Sequence, residues 1–275
     1  MPKFELYGYH DRMEKLIKPA RIAFCIGLAG MVVPQYFYHV FGANFFPAWP
    51  GLPLVAFWAS FFTTVVLVAC AAIIFEIKPR RVSLILGALL LAVYIFGYLP
   101  YDAFFAPYNN HLGTWADGLK ETALAGGAFV VAGSLPDQMN AERSSFIKFL
   151  EKLITFGPFL FCTTMVLYGI AHFFYAPYIS PLVPTWLPWH MFWTYFAGMM
   201  LIGSGIAIVL KIQLKRVAFL LALMIFIWLL IIHIPQTVAD PFGGHCNALI
   251  GASSALSFSA TAFIIAGMAG KKGKI

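Results

Sequence analysis

Apolar runs of about twenty residues alternate with short polar turns along the whole chain. A hydrocarbon layer roughly 30 Å thick takes about 20 helical residues to cross. The pattern predicts eight helices, over 19–40, 54–76, 81–99, 115–134, 154–175, 189–211, 216–234 and 246–269. Pro19 suits a first helical turn, where a missing N–H costs nothing. Pro34 falls inside the first run and predicts a kink there. Residues 135–153 are polar and mixed in charge, and read as the longest connection.

Charge adds direction to this pattern. Of the 18 Lys and Arg residues, all but Lys120 gather at alternate turns. The clusters are Lys3, Arg12, Lys15, Lys18 and Arg21; Lys78, Arg80 and Arg81; Arg143, Lys148 and Lys152; Lys211, Lys215 and Arg216; and Lys271, Lys272 and Lys274. The turns at 40–53, 100–114, 176–188 and 235–245 hold no Lys or Arg. Cytoplasmic loops retain basic residues, which predicts both termini in the cytoplasm.

Composition agrees with a lipid solvent. The chain is 61% hydrophobic and 11% charged, against about 25% charged in a soluble domain. The net charge of +7 therefore reads as a topology signal and not as a nucleic-acid footprint. The first apolar run is long enough to stay as an anchor, and no cleavage signal is evident. Cys25, Cys70 and Cys162 sit inside spans and Cys246 lies near the outer surface, so no disulfide framework or metal-binding spacing is predicted.

The two halves echo each other. Phe24, Tyr38, Pro47 and Trp49 recur 137 residues on as Phe161, Tyr175, Pro184 and Trp186. Trp58, Arg81 and Pro100 recur at 135 as Trp193, Arg216 and Pro235, and His111 at 134 as His245. Matched Trp, Pro, Arg and His in order point to a duplication. Four helices per unit is an even number, so both units cross in the same sense, as a parallel repeat. The expected architecture is all-α: a polytopic membrane protein of eight transmembrane helices in two parallel-repeat four-helix bundles, 1–140 and 141–275.

Tyr168-Gly-Ile-Ala-His172-Phe-Phe, Val183-Pro-Thr-Trp-Leu-Pro-Trp-His190-Met-Phe-Trp193-Thr-Tyr-Phe-Ala-Gly198 and Trp115-Ala-Asp-Gly-Leu-Lys-Glu-Thr-Ala-Leu-Ala-Gly126-Gly127 resemble the DoxX-like family of bacterial membrane proteins. Both halves carry the resemblance, so the chain looks like a tandem member. The resemblance implies a bacterial cytoplasmic (inner) membrane location. It also implies a link to quinone-dependent sulfur oxidation in some members, and an assembly or cargo role in others. Fold kinship does not settle function. Two features depart from the repeat: Gln35 stands where the second half has His172, and Ser254 and Ala255 replace the charged pattern of 117–121.

Candidate chemistry falls in two places. His172, His190, His233 and His245 come from the four helices of the second half, each near its outer end, with Asp240 in the loop beside them. Trp186 and Trp193 supply aromatic walls, and Gln35 marks a counterpart in the first half. Imidazoles can relay protons, ligate metal or haem, or hydrogen-bond a quinone carbonyl. As a plain alternative, they are interfacial residues bonded to loop carbonyls. No metal site is predicted. Asp117, Lys120 and Glu121 lie in the first turns of the fourth helix. Asp117 and Lys120 are spaced to pair, whereas Glu121 points about 100° away and needs another partner. An ionisable group in lipid is a functional hypothesis by default.

Three functions remain open on the sequence. One is a redox subunit exchanging electrons with quinone through an outer polar pocket. Another is a scaffold or accessory subunit packed beside other membrane proteins. A third is a small-solute carrier, for which no helix is visibly broken at mid-membrane. In each case the lipid bilayer is the first partner.

Overall fold

The computed structural model describes residues 15–41, 46–47, 49–137 and 144–269. Lys3, His10, Arg12, Arg143, Lys271, Lys272 and Lys274 lie outside the described residues, as does the expected boundary between 140 and 141. Every regular element among the described residues is helical. Eight long helices follow in order: α1 (Ile17–Tyr38), α2 (Val55–Ile74), α3 (Pro79–Phe104), α4 (Ala116–Ser134), α5 (Ser145–Phe174), α6 (His190–Val209), α7 (Leu214–Ala239) and α8 (Gly243–Met268). Seven are long and apolar enough to cross a membrane, and α4 is the exception. It carries Asp117, Lys120 and Glu121, and only these first two with Ala116 and Ser134 escape burial. The hydrophobic protein surface therefore belongs to its neighbours, and α4 sits in the middle.

The order of packing is a ring with a crossbar. α1 packs on α2, α2 on α3, α3 on α4, α4 on α5, α5 on α6, α6 on α7, α7 on α8 and α8 back on α1, while α4 and α8 meet across the centre. Each half's first helix therefore also packs on the other half's last helix, α1 more on α8 than on any other element. This differs from two self-contained bundles of four. The reason is local sequence: small residues allow close approach, and they lie on these cross-half seams. A β-carbon on Gly126 of α4 would stand 2.6 Å from the backbone oxygen of Gly157 on α5. On the other seam, Ser257 of α8 donates to the backbone oxygen of Phe24 on α1 at 3.2 Å.

Local geometry recurs along the chain. α2 and α6 are both 20 residues long and follow residues in the left-handed region, Leu54 and Trp189. The turns after them place Glu76 and Lys78, then Lys211 and Gln213, in that same region. In α3 and α7 a π-helical turn stands at Tyr94–Tyr98 and at Leu229–His233. Each of these pairs is 135 residues apart.

Three helix bounds depart from the sequence reading. α1 breaks at Val33 and restarts at Pro34, as the proline predicts. α3 and α7 run five residues past their expected ends at 99 and 234, through Pro100 and Pro235. The π turns explain this, because i→i+5 bonding re-registers the ladder where proline supplies no N–H. α5 begins at Ser145, nine residues early. Ser144 caps it, its Oγ accepting from the N–H of Ile147 at 3.4 Å. Arg80 anchors this added segment. Its Nε donates to Glu151 Oε1 at 2.9 Å, and its Nη1 donates to the backbone oxygens of Ala132 (3.1 Å) and Leu135 (2.6 Å) at the end of α4. Nearby, Lys18 pairs with Glu76 at 3.0 Å, and that ammonium holds the Glu76 carboxyl below its ordinary range.

Candidate functional site

The four histidines of the second half do not share a partner. His172 donates from Nδ1 to the backbone oxygen of Tyr168 at 2.7 Å, and its Cβ lies where α5 meets Gly198 of α6. The ring of His233 rests against Gly251, where α7 meets α8. His190 opens α6 and its backbone oxygen accepts from Thr194 at 3.0 Å. His245 is exposed and its ring lies tilted against that of Tyr38 of the first half, with ring centroids 4.6 Å apart. No hydrogen bond or ring contact joins any two of them among the described residues. Asp240 accepts from the N–H of Gly243 at 2.9 Å, capping the start of α8. Trp186 is exposed in its loop, and Trp193 faces Trp228 while donating to the backbone oxygen of Pro188 at 3.0 Å. His172, His245, Asp240 and Trp193 thus have partners at helix ends, in the backbone or in a neighbouring ring.

The denser constellation lies between α3, α4 and α5. The π turn in α3 delivers Tyr98, and one turn later Asp102 follows on the same face. Both press on α4 at Gly118: a β-carbon there would meet the Cβ of Tyr98 at 3.0 Å and Asp102 Oδ2 at 3.3 Å. Glu121 lies one turn further along α4 and is fully buried. From α5, Tyr168 donates to the backbone oxygen of Ala116 at 2.9 Å, and Thr164 donates to that of Leu119 at 2.8 Å. The Tyr98 hydroxyl is within electrostatic reach of Glu121, Asp117, Asp102 and Tyr168. Asp117 and Lys120 form the expected i,i+3 pair at 2.7 Å, with side chains 38% and 23% exposed.

What distinguishes this nest is unmet hydrogen-bonding capacity. Asp102 is 3% exposed and Glu121 0%. Asp102 Oδ2 and both carboxylate oxygens of Glu121 have no hydrogen-bond partner among the described residues. Gln35, 2% exposed near the outer end of α1, also lacks a hydrogen-bond partner at both its oxygen and its nitrogen among the described residues. Buried polar groups are normally paired, and an isolated buried carboxylate costs many kcal/mol unless it is neutralised. Two such groups, on the adjacent helices α3 and α4, therefore hold protons or meet a ligand that supplies donors or charge. Among the described residues, no three His, Cys, Asp or Glu side chains are arranged to hold a metal.

Sequence reasoning found Asp117, Lys120 and Glu121 but missed Asp102 and Tyr98. The third helix was expected to end at 99, which left Asp102 in the turn at 100–114. The signal lay in the spacing: Tyr98 and Asp102 are four apart, a helical face that Pro100 need not interrupt. Comparison of the chain with family models, with curated proteins and with solved structures finds no match.

Proposed function

We propose that this chain is a DoxX-like, duplicated inner-membrane protein with eight membrane helices and cytoplasmic termini, working as a quinone-linked redox subunit. Its proton-handling site is the nest of Asp102, Glu121, Tyr98 and Tyr168, and not the histidine layer. The observation that carries the reading is a pair of buried carboxyl groups, of which Asp102 Oδ2 and both Glu121 oxygens lack a hydrogen-bond partner among the described residues. A quinol gives up protons as it is oxidised, and a quinone takes them up on reduction. An ionised carboxylate can accept a hydroxyl proton, and a protonated one can donate to a carbonyl. Lys120 and Asp117 stand at the more exposed edge of the nest, where protons would reach water. The electrons pass between the quinone and a partner subunit or substrate. The recurring left-handed turns and π turns, 135 residues apart, support the duplication.

The test is extraction of lipid from the purified protein, followed by quantification of quinone. Glu121→Gln and Asp102→Asn should reduce bound quinone or quinone-linked turnover at least tenfold. His172→Ala and His233→Ala should leave both within about twofold. If parent protein carries no quinone and the carboxylate variants behave like it, the reading of an accessory subunit replaces this one.

A further inference from the structure

The first nine residues of α5 form a separate device. α5 is 30 residues long, about 45 Å at 1.5 Å per residue, whereas roughly 30 Å suffices to cross the hydrocarbon. α2 and α6, at 20 residues each, match that thickness. The excess lies at the basic end of the molecule, and the helix tightens there into a 3₁₀ turn at Ile154–Phe156.

Ser145–Leu153 is sharply two-sided. Ile147, Leu150 and Ile154 face the protein, packing with Leu84, Phe129 and Ala132. Glu151 is on the same side, held by Arg80. Phe146 and Phe149, three residues apart, are 59% and 57% exposed, and Phe156 and Phe159 continue that apolar flank at 56% and 52%. Lys148 and Lys152, four apart, occupy the flank between these phenylalanines and Glu151 and are exposed. Neither lysine has an ion-pair partner among the described residues. Protein on one side, bare aromatic rings on the second and free ammonium groups on the third is the layout of a helix lying in a headgroup layer. Rings sink toward the acyl chains while lysine stems reach up to the phosphates.

We infer that Ser145–Leu153 is an interfacial helix that docks on acidic lipid, with Lys148 and Lys152 binding anionic headgroups and Phe146 and Phe149 set beneath them. Charge complementarity selects the occupant. Lys78, Arg81, Lys211, Lys215 and Arg216 belong to the turns at the same end of the helices, so this rim carries positive charge, and acidic lipid attracts such a rim within about a Debye length. Arg80 is the fastener. It joins the start of α3, the last carbonyls of α4 and the interfacial helix, so lipid that grips this helix also steadies the end of the central one.

The experiment uses the full chain in nanodiscs of phosphatidylcholine alone or with phosphatidylglycerol. Thermal unfolding of the parent should rise by about 2–4 °C with the acidic lipid. Lys148→Gln/Lys152→Gln should abolish at least half of that rise, while Lys148→Arg/Lys152→Arg keeps it. An environment-sensitive dye on a Phe149→Cys variant should be quenched by lipids spin-labelled near the headgroup and shielded from aqueous iodide. Equal lipid dependence in the parent and the Lys→Gln variant overturns the proposal. So does a dye quenched by iodide and untouched by the labelled lipid.

Discussion

Gly118 of α4 and Tyr98 of α3 meet so closely that a β-carbon on the glycine would stand 3.0 Å from that of the tyrosine. The contact sets the distance between the two helices that carry the buried carboxylates, since Asp102 shares the seam with Tyr98. Gly118→Ala should therefore lower stability by about 1–3 kcal/mol, the usual cost of overpacking, and disturb the nest. Gly203→Ala is the control, because nothing lies within 4 Å of its β-position; that change should be neutral or slightly stabilising. Thermal unfolding in detergent separates the two. Equal effects would mean that the α3–α4 seam yields freely.

Arg80 makes a forked contact with Glu151, the two side chains 17% and 18% exposed, and also closes the carbonyl end of α4. Removing it takes the forked donor from a mostly buried carboxylate and one donor from two backbone carbonyls. Arg80→Ala should cost about 3–5 kcal/mol. Arg80→Lys should recover less than half, since an ammonium cannot reproduce the planar fork. Full recovery by lysine would show that charge alone matters there.

Much of the fold was legible because membrane helices announce themselves by length and basic residues by side. The spans of α2, α4, α6 and α8 fall within three residues of the apolar runs. What stayed hidden depends on bonding that composition does not encode. The π turns carry α3 and α7 through Pro100 and Pro235, and so move Asp102 from a loop to a helix face. The early start of α5 was hidden because Lys148, Glu151 and Lys152 make an amphipathic helix look like a polar connection. For the site, one-dimensional depth placed His172, His190 and His233 in one layer. Depth says nothing about azimuth, and His172 and His233 turn to different helix seams. Asp117 and Lys120 were legible because an i,i+3 pair needs only one helix.

Topology can be read directly. Cysteine placed at Asn109 or Pro181 should be labelled by an impermeant maleimide from outside intact cells. One at Lys78 or Ser144 should be labelled only after lysis. The expected side of each follows from the basic clusters, and the packing order makes the two groups separable, since Lys78 and Ser144 flank the Arg80 anchor while Asn109 and Pro181 sit in turns at the opposite helix ends. The reverse pattern would invert the molecule and move the nest to the cytoplasmic side.

The pair of Asp117 with Lys120 offers the sharpest electrostatic test. At 2.7 Å the contact is close, but 38% and 23% exposure leaves water to screen it. The expected coupling is therefore modest, about 0.5–1 kcal/mol. A double-mutant cycle isolates it: Asp117→Asn and Lys120→Met should each lower the unfolding temperature, and the double variant should lose less than the sum. Glu121 adds a second reading from the same variants. Lys120 is the adjacent cation on α4, so Lys120→Met should reduce any quinone-linked proton exchange more than Asp117→Asn does. A zero coupling energy, with both variants equal in that assay, would detach the ion pair from the buried carboxylates and leave Asp102 and Glu121 to act without it.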